Sequence, residues 1–385
     1  MNDNTDYDFD RIINRRPTDS HKWNKYDKDV LPMWIADMDF ASPNPVISAL
    51  QKRVRHGVFG YPLHPPEELC NLIIDQMAKR YGWKVKKEDF IFLPGTHDGF
   101  KLACRMVGKK GDEVLMHTPL YPPLLKAPAT GKRRLITSEL IYKEKDSYSL
   151  NYEDFQYKIT NQTRLLILCN PHNPVGKVYS REELEKIGEI CLQNNLIICS
   201  DDVHSDLVYS GNEYTPIASL SPKLASRTIT LMAPSKTYNL AGLKLSMAII
   251  QNKELWSKIR SQLDNYPAGG LGIVGATAAY RDGENWYRQL MEYLENNRDF
   301  LHEFVNNKLP GISMISPEGT FLAWLDCRKA NLQPDPYNFF INQAKVALGD
   351  GRNYGVGGNG FVRLNFGCPR PLLINALQQL QNAFK

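Results

Sequence analysis

No apolar run in this chain of 385 residues approaches the roughly 18 residues that a membrane helix needs, so a membrane span is not expected. No CxxC pair occurs among its seven cysteines. Cys70, Cys104, Cys169, Cys191, Cys199, Cys327 and Cys368 are scattered, mostly inside apolar runs, and read as reduced, buried thiols of a cytoplasmic protein. Charge of one sign is also lacking: 47 basic residues face 42 acidic ones, for a net +5. Nucleic-acid binding would need a concentrated basic face. The nearest approach to one is Lys132, Arg133 and Arg134, which reads as a solvated loop. No cluster of His, Cys, Asp and Glu has metal-ligand spacing. No G-x-S-x-G elbow surrounds Ser235, which excludes that hydrolase pattern. "GLGIVG" at 270–275 fits G-x-G-x-x-G, but "SQLDNYPAG" precedes it and an alanine-rich helical stretch follows. A dinucleotide site needs a strand before the motif, so this reading is rejected. The polar, acidic start "MNDNTDYDFD" has the pattern of neither a signal nor a transit peptide.

The chain does contain a series of short apolar runs separated by amphipathic ones. "FIFLPG" (90–95), "EVLMHTP" (113–119), "RLLILCN" (164–170), "LIICSDD" (196–202), "TITLMAPS" (228–235) and "KLSMAII" (244–250) predict strands. Several are apolar throughout, as suits strands covered on both faces. "SREELEKIGEICLQNN" predicts a helix that starts at a capping box of Ser180 and Glu183. Alternating strands and helices predict an α/β fold with a doubly wound, mostly parallel sheet. After residue 280 the pattern changes. Trp286, Leu290, Leu294, Leu301 and Val305 share one face of a long helix. Strand-like "TFLAWLDC" and "GFVRLNFG" and a last helix, "PLLINALQQLQNAF", follow. The expected organisation is a large domain over 49–280 and a smaller α+β domain over 281–385, with residues 1–48 joining the small domain.

Three polar stretches end strands of the predicted parallel sheet, where open α/β sheets gather ligands. "CNPHNPVG", "SDDVH" and "APSK" bring Asn173, Asp201, His204 and Lys236 to one edge. Each has an ordinary reading alone: turn former, helix cap, structural histidine, solvated lysine. One chemistry uses all four. Pyridoxal phosphate bonds a lysine amine. Its ring nitrogen needs a buried carboxylate, a role that suits Asp201. Its phenolic oxygen needs donors, which Asn173 and His204 supply. Burial beside cations lowers a lysine pKa, as a proton-moving Lys236 requires.

The motifs make a resemblance specific. "LPMWIADMDFASP" (31–43), "GVFGYP" (57–62), "TPLYPP" (118–123), "CNPHNPVGKV" (169–178), "APSKTYNLAGLK" (233–244), "PEGTFLAWLDCR" (317–328) and "FVRLNFGCPR" (361–370) span nearly the whole chain. The chain resembles fold-type I pyridoxal-phosphate enzymes of the aspartate aminotransferase superfamily, and within them the MalY/PatB-type C–S lyases related to cystathionine β-lyase. The resemblance implies Lys236 as the Schiff-base lysine, Asp201 as the pyridinium partner, and Asn173 and His204 as contacts to the phenolic oxygen. It implies Tyr121 stacked on the ring, Lys236, Asp201 and Tyr121 forming the catalytic set. Ser235 and Lys244 are implied as phosphate contacts, and Tyr61 as a contact to the phosphate of a neighbouring subunit's cofactor. Arg363 is implied as the clamp on the substrate α-carboxylate, with Ala36 and Asn173 on the substrate side. It also implies a homodimer that cleaves cystathionine or a related cysteine thioether to thiol, pyruvate and ammonia. "NP" at 173–174 is a candidate cis peptide.

The sequence departs from that pattern after "LPG" at 93–95, where the family usually has small apolar residues. Thr96 can donate to phosphate at the start of a helix. His97 and Asp98 read as surface residues of that helix start, with Asp98 favouring the N-terminal dipole. The alternative is that they reach the ligand, and His97 therefore stands with Thr96 among the cofactor contacts. Ala233 occupies a position where relatives often carry serine. Three rival functions remain: transamination with the same residues, elimination or cyclisation on another, perhaps basic, amino acid, and a regulatory binding protein on the same fold.

Overall fold

The computed structural model describes residues 5–144, 146–263 and 268–385. Seven strands form the main sheet: β1 (Phe90–Leu93), β2 (Glu113–Thr118), β3 (Arg134–Glu139), β4 (Thr163–Cys169), β5 (Ile197–Asp201), β6 (Thr228–Met232) and β7 (Ser246–Ile249). Their order is β1-β7-β6-β5-β4-β2-β3. All run parallel except β7, which pairs antiparallel with both β1 and β6. The expected doubly wound, mostly parallel sheet is therefore present, and "KLSMAII" supplies its one antiparallel member.

The continuous apolar runs follow from burial on both faces. Leu165, Ile167 and Cys169 of β4 join one core, with Phe100, Leu102 and Ala103. Leu166 and Leu168 join the other, with Leu184, Ile187 and Ile190. A period of two thus sends neighbouring apolar residues to opposite sides. The helix Arg181–Gln193 carries the latter three residues. It starts at the predicted capping box, Ser180 Oγ accepting from the Glu183 N–H and the Glu183 carboxylate from the Ser180 N–H. The helix Thr96–Met106 lies very close to the sheet. A Cβ at Gly99 would come within 2.5 Å of the Leu231 side chain. Glycine there lets the helix start descend onto the carboxyl edge of the sheet.

A second, four-stranded antiparallel sheet contains β8 (Ser313–Met314), β9 (Leu322–Asp326), β10 (Gly349–Asp350) and β11 (Phe361–Asn365), in the order β8-β9-β11-β10. The predicted long helix spans Glu284–Lys308, and its five apolar residues are all buried. The N-terminal segment packs here. Phe9, Met33, Met38 and Phe40 share a core with Phe321, Leu364 and Leu373. Leu31–Pro32 pairs in parallel with Val346–Ala347.

One sequence reading changes in part and another holds. The basic run 132–134 is a loop only in part: Lys132 lies in an exposed turn, as expected, but its neighbours have fixed partners. Arg134 opens β3 and pairs with Glu113 at 2.8 Å. The Arg133 guanidinium donates to the carbonyls of Arg105, Val107, Gly108 and Gly131. Carbonyls beyond a helix C-terminus are short of donors, and a cation satisfies them. The motif at 270–275 lies in a helix, Gly270–Asp282, as the rejection requires. Residues 264–267 of the preceding stretch, like residues 1–4 of the N-terminal reading, lie outside the described residues.

Candidate active site

The carboxyl ends of the parallel strands converge on one pocket of about 340 Å³, a volume suited to a small ligand. Beyond β1 come Thr96 and His97, and beyond β2 comes Tyr121. Asn173 follows β4 between cis peptides at Asn170–Pro171 and Asn173–Pro174. Asp201 ends β5 and His204 follows it. Ser235 and Lys236 lie on the short helix Pro234–Thr237 after β6. Arg363, from β11, and Ile35, Ala36 and Asp37, from the N-terminal segment, close the other side. Lys244 lines the rim with a left-handed backbone, φ 51°. A larger groove of about 980 Å³ runs along residues 86–91 and 250–260. None of the predicted site residues lines it, so the chemistry belongs to the smaller pocket.

The contacts are specific. Arg363 donates to Asn173 Oδ1 at 2.9 Å and to the Trp34 carbonyl at 2.8 Å. With its oxygen so engaged, Asn173 offers its amide N–H groups to the pocket. Lys236 Nζ donates to the Ala36 carbonyl. Three buried polar atoms, Asp201 Oδ1, His204 Nδ1 and Arg363 Nε, lack a partner among the described residues. Buried polar atoms are nearly always satisfied, so three orphans in one pocket point to a ligand.

Electrostatics agree. Burial pushes the Asp201 carboxyl up to about 7, against the opposing pull of Lys236, the Val203 N–H and Thr96. Burial lowers Lys236 to about 8; Arg363 pushes the same way, while Asp37 and Asp201 oppose. Burial, Lys236 and Arg363 hold His204 well below its ordinary value, so it is neutral. Such perturbed groups, gathered in one cleft, mark a functional site.

Of the predicted residues, Tyr61 alone is absent from this pocket. It lies on the segment after residue 57 and is 85% exposed. His97 is exposed, as the surface reading expects, and it also lines the pocket. Its ring turns over the pocket, and Nε2 lies 3.1 Å from the Tyr121 hydroxyl. The dipole argument that favoured an exposed helix start concerns Asp98 and says nothing of where residue 97 points. Asp37 was missed. Its signal was in "WIADMDF", where two carboxylates alternate with apolar residues. Asp37 lines the pocket, while Asp39 is buried against Lys22 at 2.6 Å.

The model of the class I and II aminotransferases matches residues 28–380. The chain belongs to that family. Within the family it is similar to cystathionine beta-lyase PatB of Bacillus subtilis (strain 168), 37% identical over 97% of this chain and 99% of the relative. Cystalysin of Treponema denticola, solved with a pyridoxal 5'-phosphate cofactor, superposes with a TM-score of 0.94 at 31% identity, covering 99% of both chains. A pyridoxal-phosphate-bound C–S lyase of Staphylococcus hominis, complexed with the inhibitor L-cycloserine, gives the same TM-score, identity and coverage. Among the described residues of this family member, no helix is long and apolar enough to cross a membrane.

Proposed function

We propose that this chain is a pyridoxal-phosphate-dependent C–S β-lyase, converting cysteine thioethers such as cystathionine to thiol, pyruvate and ammonia. The observation that carries the proposal is the set of orphaned atoms around Lys236. The donors and acceptors fit the cofactor in kind. Asp201 Oδ1, an acceptor without a donor, suits a protonated ring nitrogen, whose positive charge would draw the carboxyl back toward its ionised form. His204 and Asn173 suit the phenolic oxygen, and Tyr121 the ring face. Thr96, His97, Ser235 and Lys244 line the end suited to phosphate. Lys236 would hold the aldehyde carbon.

When bound, pyridoxal phosphate supplies a sink for the electron pair left at Cα of an amino acid. The residues of the chain do the rest. Arg363 clamps the α-carboxylate with parallel hydrogen bonds, which fixes the substrate in the pocket. Lys236, with its pKa near 8, accepts the Cα proton and can return a proton to the departing thiolate. Asp201 keeps the proton on the ring nitrogen. Tyr121 excludes water from the ring face.

The exposed segment of Val58, Phe59, Tyr61 and Leu63 supports a homodimer in which Tyr61 reaches the partner's cofactor. The packing of the N-terminal segment on the second sheet supports grouping residues 1–48 with 281–385, and 49–280 as the cofactor-binding domain. Seven free, buried cysteines favour a reducing, cytoplasmic setting.

The test is purified protein with pyridoxal phosphate and L-cystathionine, scoring thiol, pyruvate and new amino acids separately. Thiol and pyruvate should form together without an added 2-oxo acid. Borohydride should fix the cofactor on the Lys236 peptide, and Lys236→Ala should lower turnover by about a thousandfold or more. Turnover that requires a 2-oxo acid would mean transamination instead, and an unlabelled Lys236 peptide would remove the proposal.

A further inference from the structure

We propose that His97 is a positioning residue that sets the plane of Tyr121 over the cofactor ring, an inference that rests on the cofactor reading above. Tyr121 is anchored at its backbone, whose N–H donates to the Asn173 carbonyl at 3.0 Å. That bond fixes the Cα and leaves two side-chain torsions free. The far end of the ring is held by His97 Nε2, 3.1 Å from the hydroxyl. The hydroxyl makes no other hydrogen bond among the described residues. The two ring centroids lie 5.6 Å apart at 52°, a tilted arrangement in which the imidazole edges the phenol instead of stacking on it.

His97 is itself braced. Phe100, three residues on along the same helix and fully buried, lies 5.2 Å from the imidazole at 45°. The helix in turn rests on the sheet through Gly99. A continuous line therefore runs from the core through Phe100 and His97 to the phenol that faces the cofactor. Both members of the contact are biased toward their uncharged forms. Partial desolvation, with Lys101 and Lys236 nearby, holds the imidazole below its ordinary pKa, Asp98 opposing. Burial pushes the Tyr121 hydroxyl up to about 12. A pair biased toward neutrality fixes the ring with little added charge beside the proton-moving lysine.

The experiment titrates apoprotein with pyridoxal phosphate and records the visible circular dichroism of the bound cofactor, which reports its asymmetric contacts. The proteins are wild type, His97→Ala, His97→Gln, Tyr121→Phe and the double variant His97→Ala/Tyr121→Phe. Loss of one hydrogen bond should weaken cofactor binding about fivefold in either single variant. The double variant should be no worse than either single one, because both remove the same contact. The dichroic band should change alike in all three, and His97→Gln, whose amide can reach the hydroxyl, should recover most of it. Multiplying effects, about twenty-fivefold in the double variant, would show two independent roles and overturn the inference. So would a His97→Ala protein with wild-type affinity and dichroism. Wild-type apoprotein that binds no pyridoxal phosphate would instead overturn the functional reading on which the inference stands.

Discussion

Two buried polar clusters, one in the N-terminal segment and one in the pocket, are built on opposite terms. In the N-terminal segment, Asp39 receives Lys22 at 2.6 Å, Arg15 at 2.7 Å and the Trp23 indole N–H at 2.8 Å. Lys22, with no exposed surface, also donates to the Asp37 carbonyl. In the pocket, Asp201, His204 and Arg363 are also buried, yet each keeps an atom without a partner among the described residues. Burying an unsatisfied polar group costs free energy, and the cost is recovered only when a partner arrives. The saturated cluster holds the loop 34–39 in place. The open one is strained toward binding.

The same chemical change should therefore act oppositely in the two places. Asp39→Asn leaves the buried Lys22 ammonium without its close carboxylate. Breaking one side of a buried ion pair typically costs about 3–5 kcal/mol. Thermal or urea unfolding of the apoprotein should show a loss of that order, and a change under 1 kcal/mol would deny the cluster its anchoring role. Asp201→Asn should stabilise the apoprotein while abolishing tight cofactor binding. Its carboxyl is raised to about 7 from 3.8, so ionisation is harder in the folded state than in the unfolded one. The apoprotein is then favoured while the proton is on. It loses stability as pH rises from the ordinary aspartate range through about 7. Asparagine removes that loss. At pH 8 the variant should be more stable than wild type by on the order of 2 kcal/mol, and at pH 4 nearly equal to it. A variant less stable than wild type at pH 8 would mean that the orphaned oxygen is satisfied without ligand.

Sequence reasoning reached the open cluster and missed the closed one, for a physical reason. Asn173, Asp201 and Lys236 each follow an apolar strand, so their place at the sheet's carboxyl edge could be read from local pattern. Lys22, Arg15 and Asp39 lie in a segment with little regular structure, where the pattern gives no hint that a charge is internal. β3 escaped for a similar reason. At the sheet edge, Arg134, Leu135 and Glu139 are exposed, so its pattern resembles a loop. His97 is exposed as expected, but its place at the pocket was not legible, because nothing in the local pattern shows that Gly99 brings that helix start onto the sheet edge. Arg363 was legible only through the motif around it, since its strand gives no sign of which arginine meets a ligand.

The smallest expected effect lies where the two clusters meet. Asp37 is shared: Arg15 holds its carboxylate at 2.9 Å and Lys22 lies 3.7 Å away, while the same carboxylate raises Lys236 against the lowering effect of burial. Its side chain is 25% exposed, so Asp37→Asn should cost stability only about 1 kcal/mol or less. The consequence for Lys236 has a definite sign. Removing a nearby negative charge disfavours the ammonium, so the amine should lose its proton at a pH below the present value of about 8. A neutral amine is the form that attacks an aldehyde. The rate of cofactor capture by apoprotein, followed by stopped-flow absorbance across pH 6–9, should therefore rise a few-fold at neutral pH in Asp37→Asn and converge with wild type at pH 9. A limb left unmoved would instead place the Asp37 charge too far from the amine, or too fully balanced by Arg15 and Lys22, to act on it. The closed cluster would then be a scaffold alone, with no hand in tuning the open one.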